Sequence, residues 1–420
     1  MNDTILIIGA AAAGLMAAKE LSSHQQNVIV LEANKRSGGR IYTMYDVFDK
    51  PVEVGAEFIH GKLALTHQLL KEAKIVFHET KGKMMNVEKG EWKKQNDFAI
   101  GWDELINKME QLKQDITIAA FLNENFSDKK YDALRDSVQK FAEGFDLADI
   151  EKASVFALRD EWSHEEGKQY RIEGGYQKLI DHLADECTKN GSTIHTSCIA
   201  KEVHWKKGEV KIVTADNKTF YGSKVIVTVP LGVLKAELNA EAAIAFTPSL
   251  YDYFRAAKNI GYGTVTKILF QFNERFWEDK IGFILSDENI PVWWTQSPDD
   301  YPLLTGWLNG AQSKRLQKTD VSSLLQESLQ SLSNIFKINV SSLKQKLTAW
   351  HIEDWSKDRF TLGGYSYDTL QTDDAKKILN TPVEETIFFA GEALYKGALR
   401  GTVEAAFVSG REAAQKVMRQ

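Results

Sequence analysis

A glycine-bearing loop, Gly9-Ala-Ala-Ala-Ala-Gly14, is the first place in this chain where residue types and spacing suit chemistry. Residues 4–8 before it read as a buried strand, and residues 15–21 after it carry a helical pattern. A helix starting there offers free N–H groups and a positive dipole end to a pyrophosphate. A second apolar strand at 28–31 delivers Glu32, at about the 20-residue spacing where a carboxylate would meet a ribose hydroxyl. These are the parts of a dinucleotide-binding fingerprint, with Gly9, Ala11, Ala13 and Gly14 as loop positions and Glu32-Ala33 closing the second strand. Ala11 replaces the second glycine of the pattern. The loop by itself fits a nicotinamide or a flavin dinucleotide.

Downstream, Gly38-Gly39 lets the backbone approach a ligand closely, and the flanking Arg36 and Arg40 supply guanidinium forks matched to phosphate. The alternative for this stretch is a tight loop with solvated arginines. Lys267 is a different kind of candidate. It is a lone charge in the apolar run Thr264-Val-Thr-Lys267-Ile, and an ammonium there must be solvated, paired or functional. Burial would depress its pKa. The alternative is a lysine facing outward from a sheet.

The elements around these residues call for a large α/β protein. At 420 residues the chain exceeds what one core usually supports, so two domains are expected. Strand–glycine–helix units stand at both ends, the second being residues 387–391 followed by a helix at 402–419. A doubly wound domain assembled from separated segments explains that arrangement. The boundaries read as 1–75, 168–245 and 380–420 for the dinucleotide domain. Residues 76–167 and 246–379 would form a second domain with a mixed sheet and helices. Within it, residues 81–94 read as a solvated hairpin, and 102–160 turn helical, with Leu105, Met109, Leu112 and Val138, Phe141, Phe145 as core stripes.

Composition narrows the function. Hydrophobic residues make up 43% and charged residues 26%, as in a soluble globular protein. The net charge of −6 argues against a general nucleic-acid-binding surface and is compatible with a cationic small substrate. The two cysteines, Cys187 and Cys198, form neither a disulfide framework nor a metal-binding spacing, so no metal is expected. No apolar stretch approaches a membrane span, and the first strand leaves no room for a signal peptide. The expectation is a cytoplasmic protein that does not engage a membrane. Oligomeric state is not readable.

The motifs in order along the chain resemble the flavin-containing amine oxidases, nearest the branch of polyamine oxidases and flavin-type histone demethylases. Leu31–Arg40 is similar to the family's second signature, and Val54-Gly55-Ala56-Glu57-Phe58-Ile59-His60-Gly61 to its next loop. Trp162-Ser-His-Glu-Glu166 with Gly174-Gly175-Tyr176, and Val225-Ile-Val-Thr-Val-Pro230-Leu-Gly-Val-Leu234, resemble that branch in particular. Thr264–Ile268 is similar to the strand with the family's active-site lysine, Gly363-Gly364-Tyr365-Ser366 to the loop before the last strand, and Gly391-Glu392 with Thr402-Val403-Glu404 to the last flavin-contacting segment.

The resemblance implies a Rossmann-type FAD-binding domain and a substrate domain. It puts the adenosine end of FAD at Gly9–Gly14 and Glu32, the pyrophosphate on Arg40 beside Gly39, and the adenine against the backbone near Val203. Gly55, Ala56, Glu57, Pro230 and Trp355 would lie along the cofactor. Glu392 would meet the ribityl or phosphate portion, and the helix starting at Val403 would aim N–H groups at the flavin pyrimidine. Lys267 would hold a water beneath flavin N5. His60 would hydrogen-bond a substrate nitrogen or be satisfied by backbone, and Tyr365 would stack on the substrate. Glu57 would then offer an acidic entrance or simply be solvated, as would Glu165 and Glu166.

Several positions depart from the family. Monoamine oxidases carry at Tyr365 a cysteine joined to flavin, so non-covalent FAD is implied here. Thr402 stands where many relatives have an aromatic ring, Asn34 where arginine is frequent, and Glu404 where histidine is common. The implied reaction is oxidation of an amine to an imine, hydrolysed to aldehyde or ketone, with O2 reduced to H2O2. An L-amino-acid oxidase or desaturase-like flavoenzyme is the alternative, with Arg171, Arg359 and Arg400 as carboxylate clamps; a non-redox flavin-dependent isomerase is the third. No long charged helical insertion suggests a demethylase partner.

Overall fold

The computed structural model describes residues 3–94, 101–163, 167–309 and 319–419. The apolar run at the start becomes the strand Ile5–Ile8, buried at all four positions. It is the middle of a five-stranded sheet in the order Thr193–His195, Val28–Leu31, Ile5–Ile8, Lys224–Val227, Ile387–Phe389. Every pairing is parallel, with Ile5 opposite both Val28 and Lys224. A parallel sheet is covered on both faces, which is why its strands read as continuous apolar runs.

One face is covered by the helices Ala12–Ser23, Gln177–Lys189 and Val403–Arg419. Small residues at Ala17, Ala18, Ala413 and Ala414 let the helices approach each other over the sheet. The other face meets a four-stranded sheet formed by Thr219–Gly222, Glu209–Thr214, Ala200–Lys206 and Ala245–Thr247. Leu6, Ile8, Val203, Ile212 and Phe389 fill the space between them. The strand order reverses around Ile5–Ile8, so the loop at Gly9 leaves the carboxyl edge at the topological switch point, where ligands bind in such sheets.

The second sheet has seven strands, in the order Leu347–Asp354, Val265–Phe272, Leu303–Asn309, Val292–Thr295, Ile281–Ser286, Lys83–Glu88, Glu91–Lys94. Only the pairing of Ile281–Ser286 with Lys83–Glu88 is parallel. The 81–94 hairpin is thus an edge of this sheet rather than an isolated solvated turn. The helix Val321–Phe336 packs Leu329, Leu332 and Ile335 against Ile268, Phe270 and Trp293. The helices Trp102–Gln111, Ile118–Asn125, Asp132–Gly144 and Val155–Ser163 build a separate core around Leu105, Met109, Phe121 and Val138.

The cores cross the sequence boundaries, and Met44, Phe48, Val52 and Val54 pack with Val265, Leu269 and Leu303 of the seven-stranded sheet. The helices Tyr251–Lys258 and Thr372–Leu379 join the core beneath the parallel sheet through Ala256, Ala257, Ala375 and Leu379. Residues beyond 245 and before 380 therefore belong with the dinucleotide side. Their amphipathic patterns give a buried face but do not say which sheet it covers. No helix among the described residues is long and apolar enough to cross a membrane, and no metal-binding cluster occurs among them.

Candidate active site

A single cavity of about 1820 Å³ runs from the carboxyl edge of the parallel sheet to the seven-stranded sheet. Gly9, Ala11, Ala13, Glu32, Ala33, Gly39 and Arg40 line one end. Gly9 has φ of +107°, and a Cβ there would come within 2.7 Å of Thr228 Oγ1. Gly14 lies off the cavity. A Cβ on it would stand 1.9 Å from the Gly9 carbonyl oxygen, so its glycine serves close packing of helix on strand rather than ligand contact.

Ala11 precedes the first helix in extended conformation and gives it no side-chain cap. The helix start is thereby left open toward the cavity. Glu32, 5% exposed, accepts hydrogen bonds from Ala10 N at 2.7 Å and Asn34 N at 2.8 Å. Burial pushes its carboxyl above the usual range, and the two backbone N–H groups offset this only in part.

Arg36 and Arg40 take different roles. Arg36 donates to the carbonyls of Ser37, Gly39 and Ile41 and lies over the Tyr42 ring, so it braces the glycine loop from outside the cavity. Arg40 faces the cavity and donates to Glu392 Oε1 at 2.8 Å and the Gly364 carbonyl at 2.6 Å. Glu392 also accepts from Ser366 Oγ at 2.6 Å. Gly391, Thr402 and Val403 border the same space. A Cβ on Gly391 would meet nothing within 4 Å, so the wall there is open backbone. Thr402 accepts from Ala405 N at 3.1 Å and donates to the Leu399 carbonyl, capping the last helix.

Glu404 has turned away from the cavity altogether. Its carboxylate accepts from Leu65 N, Thr66 N and Thr66 Oγ1 at 2.7–2.8 Å, capping the helix Ala64–Glu72, which has no side-chain cap of its own. Val203 is likewise away from the cavity: it is fully buried between the two sheets of the dinucleotide side. Cys198, Ile199 and Ala200, just before that strand's middle, border the cavity instead.

At the far end, Gly55, Ala56, Glu57, His60, Lys267, Trp355 and Tyr365 line the wall, while Pro230, next to the Val229 that packs with Ala33, lines the cavity on the nucleotide side. Trp355 Nε1 donates to the Val54 carbonyl at 3.2 Å, tying down the loop that carries Glu57. Lys267 is 1% exposed and is not alone: Nζ donates to Glu57 Oε2 at 2.7 Å and to the Gly55 carbonyl at 3.1 Å. Glu57 is a buried partner rather than an entrance. Burial alone would raise its pKa, but Lys267, Arg171 and the hydrogen bonds from Lys267 and Trp294 hold it below the ordinary carboxylate value.

An aromatic wall surrounds these groups. Phe58 sits 5.8 Å from Phe283 and 5.6 Å from Trp294, and Trp294 lies 5.7 Å from Trp307. His60 meets the Phe145 ring edge-on at 5.7 Å, and burial lowers its pKa to about 4, so it is neutral near pH 7. The Tyr365 hydroxyl donates to the Phe145 carbonyl, and burial holds its pKa well above 10.0. Phe141 stacks on Phe145, and both line the cavity although their helical spacing had read as core. Phe58 lay within the motif at 54–61 without a role assigned to it; Phe283, Trp294 and Trp307 carried no motif signal, nor did Met84 and Asn86 from the hairpin, which also line it.

Of the three arginines considered as carboxylate clamps, Arg171 lies off the cavity and is bound to Glu57, Ser297 O and Thr295 O. Arg359 pairs with Glu241 at the surface. Arg400 borders the cavity with its Nε on Asp368 at 2.6 Å. Glu165 and Glu166 lie outside the described residues.

A glycine-walled trough, two helix starts on the cavity, the first of them uncapped, and a buried carboxylate at the nucleotide end suit an extended dinucleotide cofactor, and the trough continues without a break into the aromatic end. That arrangement defines a dinucleotide-dependent oxidoreductase. Residues 12–418 match the family model described as flavin containing amine oxidoreductase, and the chain belongs to that family. Its cofactor is FAD.

The chain is 26% identical to polyamine oxidase 3 of Oryza sativa subsp. japonica, over 99% of this chain and 89% of that protein. It is 24% identical to lysine-specific histone demethylase 1 homolog 3 of Arabidopsis thaliana, over 93% of this chain and 28% of that protein. The chain spans 28–53% of the length of the first three demethylases it matches. A solved structure of putrescine oxidase bound to putrescine superposes with a TM-score of 0.84 at 19% identity, covering 100% of this chain and 99% of that one, which shows a shared fold.

Proposed function

We propose that this chain oxidises the C–N bond of a small-molecule amine to an imine, using FAD and O2, with H2O2 and an aldehyde or ketone as final products. The observation that carries this reading is the continuity of one cavity from Glu32 and the Gly9 loop to Lys267 and the aromatic wall. Bound FAD supplies acceptance of a hydride equivalent from the amine's α-carbon. Everything else falls to the protein.

The nucleotide end holds the cofactor through the helix starts at Ala12 and Val403, with Glu32 placed for a ribose hydroxyl and Arg40 for phosphate charge. Positive helix ends near the cofactor favour added negative charge. FAD is held without a covalent bond, since Tyr365 offers no thiol, Cys187 is buried in the core, and Cys198 lies at the nucleotide end of the cavity. The aromatic end orients the substrate. Phe58, Phe145, Trp294 and Tyr365 present ring faces and edges to the amine's apolar part, and neutral His60 can accept from or donate to the amine nitrogen. The Glu57 carboxylate is engaged by three donors, so it does not itself serve as an anchor for a second ammonium.

The test is anaerobic mixing of the FAD-loaded protein with a panel of monoamines, polyamines and L-amino acids. Bleaching of the flavin band by amines, followed by peroxide when oxygen is admitted, is expected. Bleaching by L-amino acids alone would assign the site to amino-acid oxidation. Acid precipitation should release the yellow chromophore into the supernatant.

A further inference from the structure

Three separate segments converge on one carboxylate. Glu57 Oε2 accepts from Lys267 Nζ at 2.7 Å, and Oε1 accepts from Arg171 Nε at 2.8 Å and from Trp294 Nε1 at 3.0 Å. The Trp294 ring also lies 5.5 Å from Lys267 Nζ, so one indole touches both members of the pair. Arg171 is itself fixed by Thr295 O, Ser297 O and the Phe58 ring, and it does not reach the cavity. Glu57 is 7% exposed and Lys267 1%. An ammonium this deep is too costly to keep charged without a partner.

Resting on the reading of the cavity as an FAD and amine site, we infer that Glu57 is a positioning residue for Lys267, fixing its ammonium on the cavity wall, with Arg171 as the outer anchor. Lys267 has three N–H donors. Glu57 and the Gly55 carbonyl take two, which leaves one for the cavity. In this state Lys267 can lend a hydrogen bond or a proton and cannot remove one from a substrate. The other charged groups that bear on it are Glu53, whose buried carboxyl is pushed up to about 7, and Glu353, its cross-strand neighbour on Leu347–Asp354. Neither is hydrogen-bonded to its Nζ; Glu353 is engaged with His351.

The arrangement makes two substitutions act in opposite directions. In Glu57→Gln, the Lys267 ammonium loses its counter-charge while Arg171 remains beside it. In Arg171→Gln, Glu57 serves Lys267 alone. Reductive methylation of the FAD-loaded protein with formaldehyde and cyanoborohydride, followed by peptide mass spectrometry across a pH series, reads the fraction of neutral Lys267 directly. At a fixed neutral pH, Glu57→Gln should label at least tenfold faster than the parent, Arg171→Gln should label more slowly, and Glu57→Asp should restore slow labelling. Equal labelling of Lys267 in the parent and in whichever of the two Gln variants retains FAD overturns the inference. Because the readout does not pass through turnover, displaced labelling in a protein inert to every amine would sink the amine-oxidase reading and leave the Glu57 role standing.

Discussion

Arg40 and Glu392 are 352 positions apart in the chain, yet Nη1 of one lies 2.8 Å from Oε1 of the other. The pair joins the N-terminal glycine loop to the C-terminal strand–helix unit at the border of the cavity. Glu392 is buried and its remaining partner is Ser366, so removing the guanidinium leaves a buried carboxylate without its charge partner. Arg40→Ala should therefore destabilise the protein by about 3 kcal/mol and weaken FAD retention. Glu392→Gln, which keeps hydrogen-bonding capacity, should cost less. Thermal unfolding with and without added FAD separates the two effects; an Arg40→Ala protein as stable and as yellow as the parent would show the pair to be incidental.

His60 gives a pH dependence with a defined sign. Its pKa falls from 6.5 to about 4 because burial disfavours the charged ring. Above pH 6.5 both folded and unfolded chains carry it neutral. Between 6.5 and 4 the unfolded chain takes up a proton that the folded chain cannot, so stability falls as pH falls, by up to about 3 kcal/mol. Glu53 acts in the opposite sense, since its raised pKa lets the folded state keep a proton that the unfolded chain releases at lower pH. The comparison must therefore be made against a variant. Urea unfolding at pH 7 and pH 5 should show a smaller acid loss in His60→Phe, which preserves ring contact with Phe58 and Phe145. An unchanged pH 7 to pH 5 difference would mean His60 protonates freely in the fold.

Glu404 marks a departure from the family that the structure accounts for. It satisfies two backbone N–H groups and one hydroxyl at the start of Ala64–Glu72 from a helix on the other side of the contact. Truncation leaves those buried donors unpaired, at about 1–3 kcal/mol for a group of this kind. Glu404→Ala should lower the denaturant midpoint by an amount in that range or above. The slope of the denaturation curve should stay the same, and the substrate dependence of the remaining activity should be little changed. A shift in KM without loss of stability would place Glu404 in substrate binding instead.

What the sequence made legible follows from how each part is built. Buried parallel strands are short apolar runs, so residues 4–8, 28–31 and 387–391 announced themselves, and the glycine loop directly follows the first of them as Glu32 follows the second. Contacts between distant segments left no such trace. The Arg171–Glu57 pair spans 114 positions, and nothing in either neighbourhood points to the other. Phe141 and Phe145 were misjudged because a helix facing a cavity has the same apolar period as one facing a core. Val203 lies off the cavity for another reason. Neighbouring strand residues point to opposite faces, and the residues that reach the cavity are those at 198–200, where the chain enters the strand rather than its middle.

Ala11 and Gly14 provide the last and most local test. Both belong to the same loop pattern, but only one tolerates exchange. Ala11 borders the cavity at the helix start, and its methyl replaces a hydrogen where the backbone is extended and open to any residue. Glycine is slightly better than alanine before a helix, and the loop shares the cofactor with Glu32, Arg40 and the helix at Val403. Ala11→Gly should thus change FAD retention by less than about threefold, under 1 kcal/mol by the tenfold rule. Gly14→Ala places a methyl 1.9 Å from the Gly9 carbonyl oxygen and 2.8 Å from Thr228 Oγ1, which forces helix and strand apart. It should lose FAD and several kcal/mol of stability together. Equilibrium dialysis of FAD and chemical unfolding of the two variants side by side decide it. A Gly14→Ala protein that keeps its cofactor, or an Ala11→Gly protein that binds FAD far more tightly, would show that the loop's glycines do not divide the work in this way.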